Sequence, residues 1–257
     1  MFVHLHTYSY YSFLRGLPSP KELAQTAAQY DMPALALTDY CGLSGEIEFY
    51  DACREVGVQP ILGLELPVQP PPELLNEAAA RNGETTSQTG VLVLLAMDMA
   101  GWGNLCRLSS ELMTNPHYLQ SMSLPFERLA ADTRGLICLS GGSLGVAVKW
   151  ITSHQPLLTM GFLQRLNEIF AGRLYVEVQR EVQTGHSPEM ELIEIASRLC
   201  LPIVATHPIH YIHKEDAGLQ KLVSAIRLNR TQEETPQSET APVGAYFLSL
   251  SEMSARF

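Results

Sequence analysis

Residues 34–65 read ALALTDYCGLSGEIEFYDACREVGVQPILGLE, and their pattern decides the fold. Two apolar runs, 34–38 and 60–65, lack polar alternation, as strands buried on both faces do. Between them residues 44–56 suit a helix, and Gly57 stands where a helix stops. A strand, a helix and a second strand in this order predict a parallel βα unit. The first run is followed by Asp39 and the second closes on Glu65.

The same rhythm extends in both directions. Further strands are expected at 3–6, 91–97, 136–140, 174–179 and 202–206, with helices at 103–113, 160–171, 188–200 and 214–228. The first helix has the clearest start: Ser19-Pro20-Lys21-Glu22 supplies a cap hydroxyl, a proline at the first helical position and a glutamate that reaches back. Gly172 and Asn229 mark later helix ends. Two stretches break the pattern. Residues 67–89 hold Pro70-Pro71-Pro72 and a polar tract, with one helix expected at 74–81, and 231–244 is polar with Pro236 and Pro242. The expected division is therefore a barrel domain over 1–230 and a linker with a junction over 231–257. That junction reads as a short strand and then a helix capped at Ser251.

The 257 residues suffice for one α/β barrel. With 46% apolar and 17% charged residues, disorder over most of the length is excluded. A net charge of −10, with 17 Lys and Arg, argues against a protein whose task is gripping a duplex, so contact with DNA is expected only indirectly. Cys41, Cys53, Cys106, Cys138 and Cys200 are widely spaced without a CxxC pair and read as reduced thiols. No signal-peptide pattern is present, and the longest apolar run, 91–97, is too short to span a bilayer. A cytoplasmic location without membrane contact is the expectation.

In βα barrels the strand C-termini converge, so polar side chains there meet although distant in sequence. His4 and His6 close the first strand, Asp39 follows the second, Glu65 closes the third, and His207 and His210 follow the last. His-x-His on a strand places both imidazoles on one face about 7 Å apart, which suits a shared cation. With a carboxylate such as Glu65 the set suits zinc, iron or manganese. Plainer roles stand beside these. Asp39 equally suits a turn cap, His117, His154, His186 and His213 read as solvated, and Ser140-Gly141-Gly142-Ser143 looks like an anion-binding turn without an adjacent lysine.

Several motifs in order resemble one family. Val3-His4-Leu5-His6-Thr7, Tyr11-Ser12-Phe13-Leu14-Arg15-Gly16, Leu35-Ala36-Leu37-Thr38-Asp39 and Pro60-Ile61-Leu62-Gly63-Leu64-Glu65 look like the opening of bacterial DNA polymerase III alpha subunits. Tyr175-Val176-Glu177-Val178-Gln179, Pro202-Ile203-Val204-Ala205-Thr206, Ile209-His210-Tyr211 and Tyr246-Phe247-Leu248 continue the match. The resemblance implies a polymerase-and-histidinol-phosphatase (PHP) domain, a distorted seven-stranded (β/α)7 TIM-like barrel. Intact members hold a trinuclear metal cluster on about nine ligands and hydrolyse phosphoesters.

Position by position, the resemblance retains His4, His6, Glu65 and His210 as metal ligands. It departs elsewhere. Arg15 stands where an acidic residue is usual, Tyr40 and Val91 where histidines are, Gly142 for a cysteine, Glu181 for a histidine and Pro208 for an aspartate. Multi-metal hydrolysis needs ligands that hold cations about 3.5–4 Å apart. Four ligands hold at most one divalent ion, zinc, manganese or iron, or none. The expectation is a structural or partner-binding PHP domain with lost or weak phosphoesterase activity, partnered by the remainder of a polymerase alpha subunit and by other replisome subunits. The alternative is an active phosphoesterase, acting as a 3′–5′ exonuclease, pyrophosphatase or small-ester phosphatase, with His207 or Glu181 replacing lost ligands.

Overall fold

The computed structural model describes residues 2–76, 89–180 and 188–257. The chain forms two compact units. The first holds 2–64, Arg180 and 206–257, and the second holds 65–76, 89–179 and 188–205.

In the first unit, helix α1 (Pro20–Gln29) begins with the expected capping box. Ser19 Oγ accepts from the Glu22 amide at 3.2 Å and the Glu22 carboxylate accepts from the Ser19 amide at 2.8 Å. Such a cap contributes about 1 kcal/mol. Its inner face, Leu23, Ala24 and Ala27, packs with Phe49 and Cys53 of α2 (Glu46–Val56), with Leu35 and Leu37 of β1 (Ala34–Leu37), and with Ile209 and Phe247. Gly57 ends α2 in the left-handed conformation. β1 pairs in parallel with the first half of β2 (Gln59–Gln69), Ala34 facing Gln59 and Leu37 facing Leu62. The quoted βα unit forms as its sequence implies.

The strand expected at 3–6 is not a regular one. The carbonyls of His4 and Thr7 accept from Ala36 and Thr38, both at 2.9 Å, while His6 and Tyr8 exchange bonds with Ile209 on the other side. Bonding alternates between two neighbours, so Thr7 and Ile209 make an isolated bridge rather than a ladder. The result still ties His4 to β1 through Ala36 and His6 to Ile209.

At the far end, Tyr246 bridges Tyr211 and Phe247 enters the core, so this stretch is a bridge rather than a strand. Helix α10 (Leu250–Arg256) is capped by Ser249, not by Ser251 as expected. Only Ser249 has a glutamate three residues on, Glu252, which closes the capping box. The preceding helix, α9 (Ala217–Leu228), follows a 3-10 turn over Lys214–Asp216 and ends at a left-handed Asn229. It faces inward with Gln220, Ser224 and Ala225 and outward with Leu219, Leu222 and Ile226. Its interior polar groups are satisfied: Gln220 donates to Ser224 Oγ and to the Arg15 carbonyl, and accepts from the Ala241 amide.

The second unit carries the strand order β2-β3-β5-β6-β7, with β3 Gly90–Ala96, β5 Leu136–Leu139, β6 Leu174–Gln179 and β7 Ile203–Thr206; a two-residue strand β4 (Leu124–Pro125) lies parallel to the end of β2. With β1 this gives seven strands in a mixed α/β fold, though not the seven expected, since the short β4 was not foreseen and 3–6 is no strand. The expectation of parallel units throughout is corrected at one ladder, since β3 and β5 run antiparallel, Val93 opposite Leu139 and Ala96 opposite Leu136. Between them the chain runs through α3 (Met99–Thr114), α4 (Pro116–Ser121), β4 and α5 (Phe126–Ala130). This connection is no single crossover helix, so β5 is free to return in the opposite direction.

α6 (Val146–Thr152) and α7 (Pro156–Phe170) meet through Trp150 and Phe162, edge to face at 5.8 Å, and α8 (Glu189–Arg198) packs on β6. α3 and α7 each start four residues before the expected position. Asp98 caps α3, and Pro156 occupies the first position of α7. The helix expected at 74–81 lies mostly outside the described residues.

Candidate metal centre

The histidines of the first unit are held by the protein's own groups. His4, 1% exposed, sits between Phe2 and Phe247, both edge-on at 4.7 and 4.9 Å between centroids. Its Nε2 donates to the Leu248 carbonyl at 2.8 Å, which leaves Nδ1 as a lone pair without a hydrogen-bond partner. Burial lowers its pKa to about 4, against the partial support of that carbonyl. The ring of His6 meets the Tyr8 hydroxyl at 2.9 Å, and Tyr8 in turn stacks on His210 at 4.3 Å. His210 Nδ1 donates to the Arg15 carbonyl at 3.1 Å.

His207 is bound at both nitrogens. Nε2 donates to the Tyr246 carbonyl at 3.1 Å, and Nδ1 accepts from Arg256 Nη1 at 2.9 Å. Burial first, and then the Arg256 charge, lower its pKa to about 3. It is a neutral ring holding a cation.

Two buried carboxyls lie near the first loop. Asp39 accepts from the Ser9 amide at 2.7 Å and from the hydroxyls of Ser9 and Ser12, and so organises the loop that precedes it in sequence. Burial still raises its pKa. Glu46, at the start of α2, is fully buried and neither oxygen meets a hydrogen-bond partner. Burial and then the Asp39 charge push its pKa well up, and the backbone of Gly63 opposes this without reaching bonding geometry. Spacing gave no warning of Glu46, which reads in sequence as an ordinary acidic residue of a helix first turn.

Glu65 belongs to the second unit, fully buried on β2. Its charge supports the Lys149 ammonium, whose pKa burial lowers and which donates to the Thr89 carbonyl at 2.7 Å. In the same unit the Ser140–Ser143 turn is already filled. Glu177 Oε2 accepts from the Gly141 amide and Gln179 Oε1 from the Ser143 amide, both at 3.1 Å, so the protein's own acceptors take the bonds an outside anion would use. Gly141 is required there, because φ is +90° and a Cβ would run into the Val91 carbonyl. His117, His154 and His213 are exposed, as expected; His186 and Glu181 lie outside the described residues.

A PHP domain model matches residues 4–181. The chain belongs to the PHP domain family. The DNA polymerase III subunit alpha of Rickettsia bellii is 32% identical over 100% of this chain and 21% of its own length, and that of Aquifex aeolicus is 28% identical over 90% and 20%. An error-prone DNA polymerase of Symbiobacterium thermophilum is 31% identical over 92% of this chain and 22% of its own length. This PHP domain is thus homologous to the N-terminal region of DNA polymerase III alpha subunits and spans about a fifth of their length. No helix among the described residues is long and apolar enough to cross a membrane.

The PHP metal cluster does not fit the side chains present. Among the described residues no three of His, Cys, Asp and Glu converge as a group that could hold a metal ion. Each of His4, His6, His207 and His210 commits a ring nitrogen to a protein partner. The Arg15 guanidinium stacks 3.7 Å over the Tyr40 ring, a cation at one family ligand position lying on an aromatic at another. Val91, Gly142 and Pro208 offer no donor, and the Gln179 amide fills the space a Gly142 side chain would need. Arg256, the residue that engages His207, is 49 positions away in sequence, and no local motif points to it.

Proposed function

We propose that this PHP domain is a non-hydrolytic module of a C-family DNA polymerase alpha chain, a cytoplasmic barrel over 1–230 that supports the polymerase region, with 231–257 as the junction toward it. Contacts with other replisome subunits belong to the same role, and contact with DNA is indirect. One observation supports the proposal: among the described residues no three of His, Cys, Asp and Glu form a group that could hold a metal ion, and Val91, Gly142 and Pro208 supply no donor where the family has ligands. A hydrolytic metal centre needs lone pairs converging on one point and room for an activated water. Here His4 and His207 instead fix the backbone at Leu248 and Tyr246, which are part of the junction. The barrel's histidine pair thereby serves to position the chain that leaves it. His4, His6, Glu65 and His210 are what remains of the ligand set.

The test is direct. The purified chain is assayed for bound metals by mass spectrometry and for turnover of p-nitrophenyl phosphate and of a 3′-labelled oligonucleotide, with zinc, manganese or iron supplied. Turnover at background is expected. Robust hydrolysis that disappears in a His4→Ala, His6→Ala variant would overturn the proposal in favour of the phosphoesterase alternative.

A further inference from the structure

Residues 9–13 form a loop that is anchored in the interior and aromatic at the surface. Asp39 accepts from the Ser9 amide at 2.7 Å and from the Ser9 hydroxyl at 2.6 Å, Ser12 Oγ accepts from the Tyr40 amide at 2.9 Å, and the Tyr10 amide donates to the Pro18 carbonyl at 2.9 Å. The loop so held displays Tyr10, Tyr11 and Phe13 at 44%, 39% and 78% exposure. A buried carboxylate thus fixes side chains that add little to the core. Tyrosines on a rigid loop offer a partner a large contact area at a low cost in conformational freedom.

Glu48 of α2 joins this surface. Both tyrosine hydroxyls donate to its Oε2, each at 3.2 Å, and the two rings lie 4.6 Å apart with their planes inclined at 42°. Among the described residues Glu48 Oε1 accepts no hydrogen bond. Ile47 and Tyr50, one helical turn apart on α2, are exposed as well. Residues 7–14 carry no charge, and residues 46–53 carry Glu46, Glu48 and Asp51 without a basic residue, so the surface is complementary to a cation. Arg15, just beyond the loop, lies 3.7 Å over the Tyr40 ring and shows a guanidinium resting on an aromatic face.

We propose that Tyr10, Tyr11 and Glu48 form a docking site for an arginine side chain of another protein, with the exposed Phe13, Ile47 and Tyr50 open to the apolar neighbours of that arginine. A guanidinium lays its flat face on a tyrosine ring while its edge meets the Glu48 carboxylate, which the compact ammonium of lysine does not do. Single-stranded nucleic acid also stacks on aromatic rings, but it needs basic side chains along its backbone and would meet carboxylates here. Such a site gives the partner contacts of the non-hydrolytic module a chemistry, and it rests on that reading for its setting.

The probes are fluorescein-labelled hexa-arginine, hexa-lysine and oligothymidylate, followed by anisotropy on the whole chain at physiological ionic strength. Hexa-arginine is expected to bind at least tenfold more tightly than hexa-lysine. The Tyr10→Ala, Tyr11→Ala double variant and the Glu48→Gln variant are each expected to weaken it at least fivefold, whereas Glu168→Gln, at an exposed acid of α7, leaves it unchanged. Equal affinity for the two peptides, or losses no larger than that of Glu168→Gln, means diffuse attraction to a chain of net charge −10 and overturns the proposal. Oligothymidylate binding that falls in the double variant overturns it in favour of a nucleic-acid platform. Should the double variant fail to fold, Glu48→Gln decides alone. Phosphoester turnover by the wild type would instead sink the non-hydrolytic function, and the peptide comparison would still decide the docking site.

Discussion

Lowering the pH from 7.5 to 5.0 should destabilise this protein through His207, and a variant isolates the amount. The folded ring has a pKa of about 3, below the ordinary 6.5 of the unfolded chain, so it stays neutral where the unfolded histidine takes a proton. Its contribution to stability is therefore complete above pH 6.5 and is lost as pH falls toward 3. At pH 5.0 the solution is 1.5 units below the unfolded value, which at 1.36 kcal/mol per unit makes the loss about 2 kcal/mol. His207→Gln has nothing to titrate. Urea unfolding of both proteins at pH 7.5 and 5.0 should show the wild type's margin over the variant shrinking by about 2 kcal/mol. The carboxyls Asp39 and Glu46 titrate in both proteins and cancel in the comparison. His4, lowered to about 4, should give a similar change in His4→Gln. A margin that does not change with pH would refute the neutral, carbonyl-bound rings on which the site's description depends.

The remaining predictions concern single positions. Glu46 has a raised folded pKa, so its contribution is intact below the unfolded value of 4.5 and is lost as pH rises; Glu46→Met should stabilise the protein at pH 8 by about 1–3 kcal/mol, with a gain that shrinks toward pH 5, read from thermal melts. Gly141→Ala should cost about 3 kcal/mol in urea unfolding, because it adds a Cβ at positive φ against the Val91 carbonyl; a cost under 0.5 kcal/mol would contradict the turn geometry. Asp39→Ala removes the carboxylate that accepts from the Ser9 amide and the hydroxyls of Ser9 and Ser12, and should cost about 2 kcal/mol, with faster amide exchange of the Ser9 N–H as its signature.

The βα unit over residues 34–65 was legible because local signals agreed there: an apolar run, a helix stopped by Gly57, and a second apolar run. The capping box at Ser19 was legible for the same reason. The antiparallel pairing of β3 and β5 was not, since both strands are apolar throughout and nothing in such a run records its direction. The segment holding His4 and His6 lies beside β1 but is not the strand expected there, because its bonds divide between β1 and chain more than 200 residues away. Long-range pairing also explains what was missed at the site. His207 stood out in the sequence as a spare donor, but its partner Arg256 comes from the end of a helix that only tertiary packing brings near. The losses at Tyr40, Val91, Gly142 and Pro208 were visible because a missing donor is a property of one residue, whereas the filling of the space they leave is a property of the fold.

Helix α9 keeps Gln220 and Ser224 inside and turns Leu219, Leu222 and Ile226 outward, 52%, 40% and 58% exposed at spacings of three and four residues. Three branched aliphatics on one helix flank form an exposed apolar stripe, a surface that attracts a second molecule when contiguous. The chain's colloidal behaviour should be governed by that flank rather than by its net charge of −10, which would otherwise keep molecules apart. Static light scattering should show an attractive second virial coefficient that Leu222→Lys reverses, at little expense to folding, because the side chain it replaces already faces water.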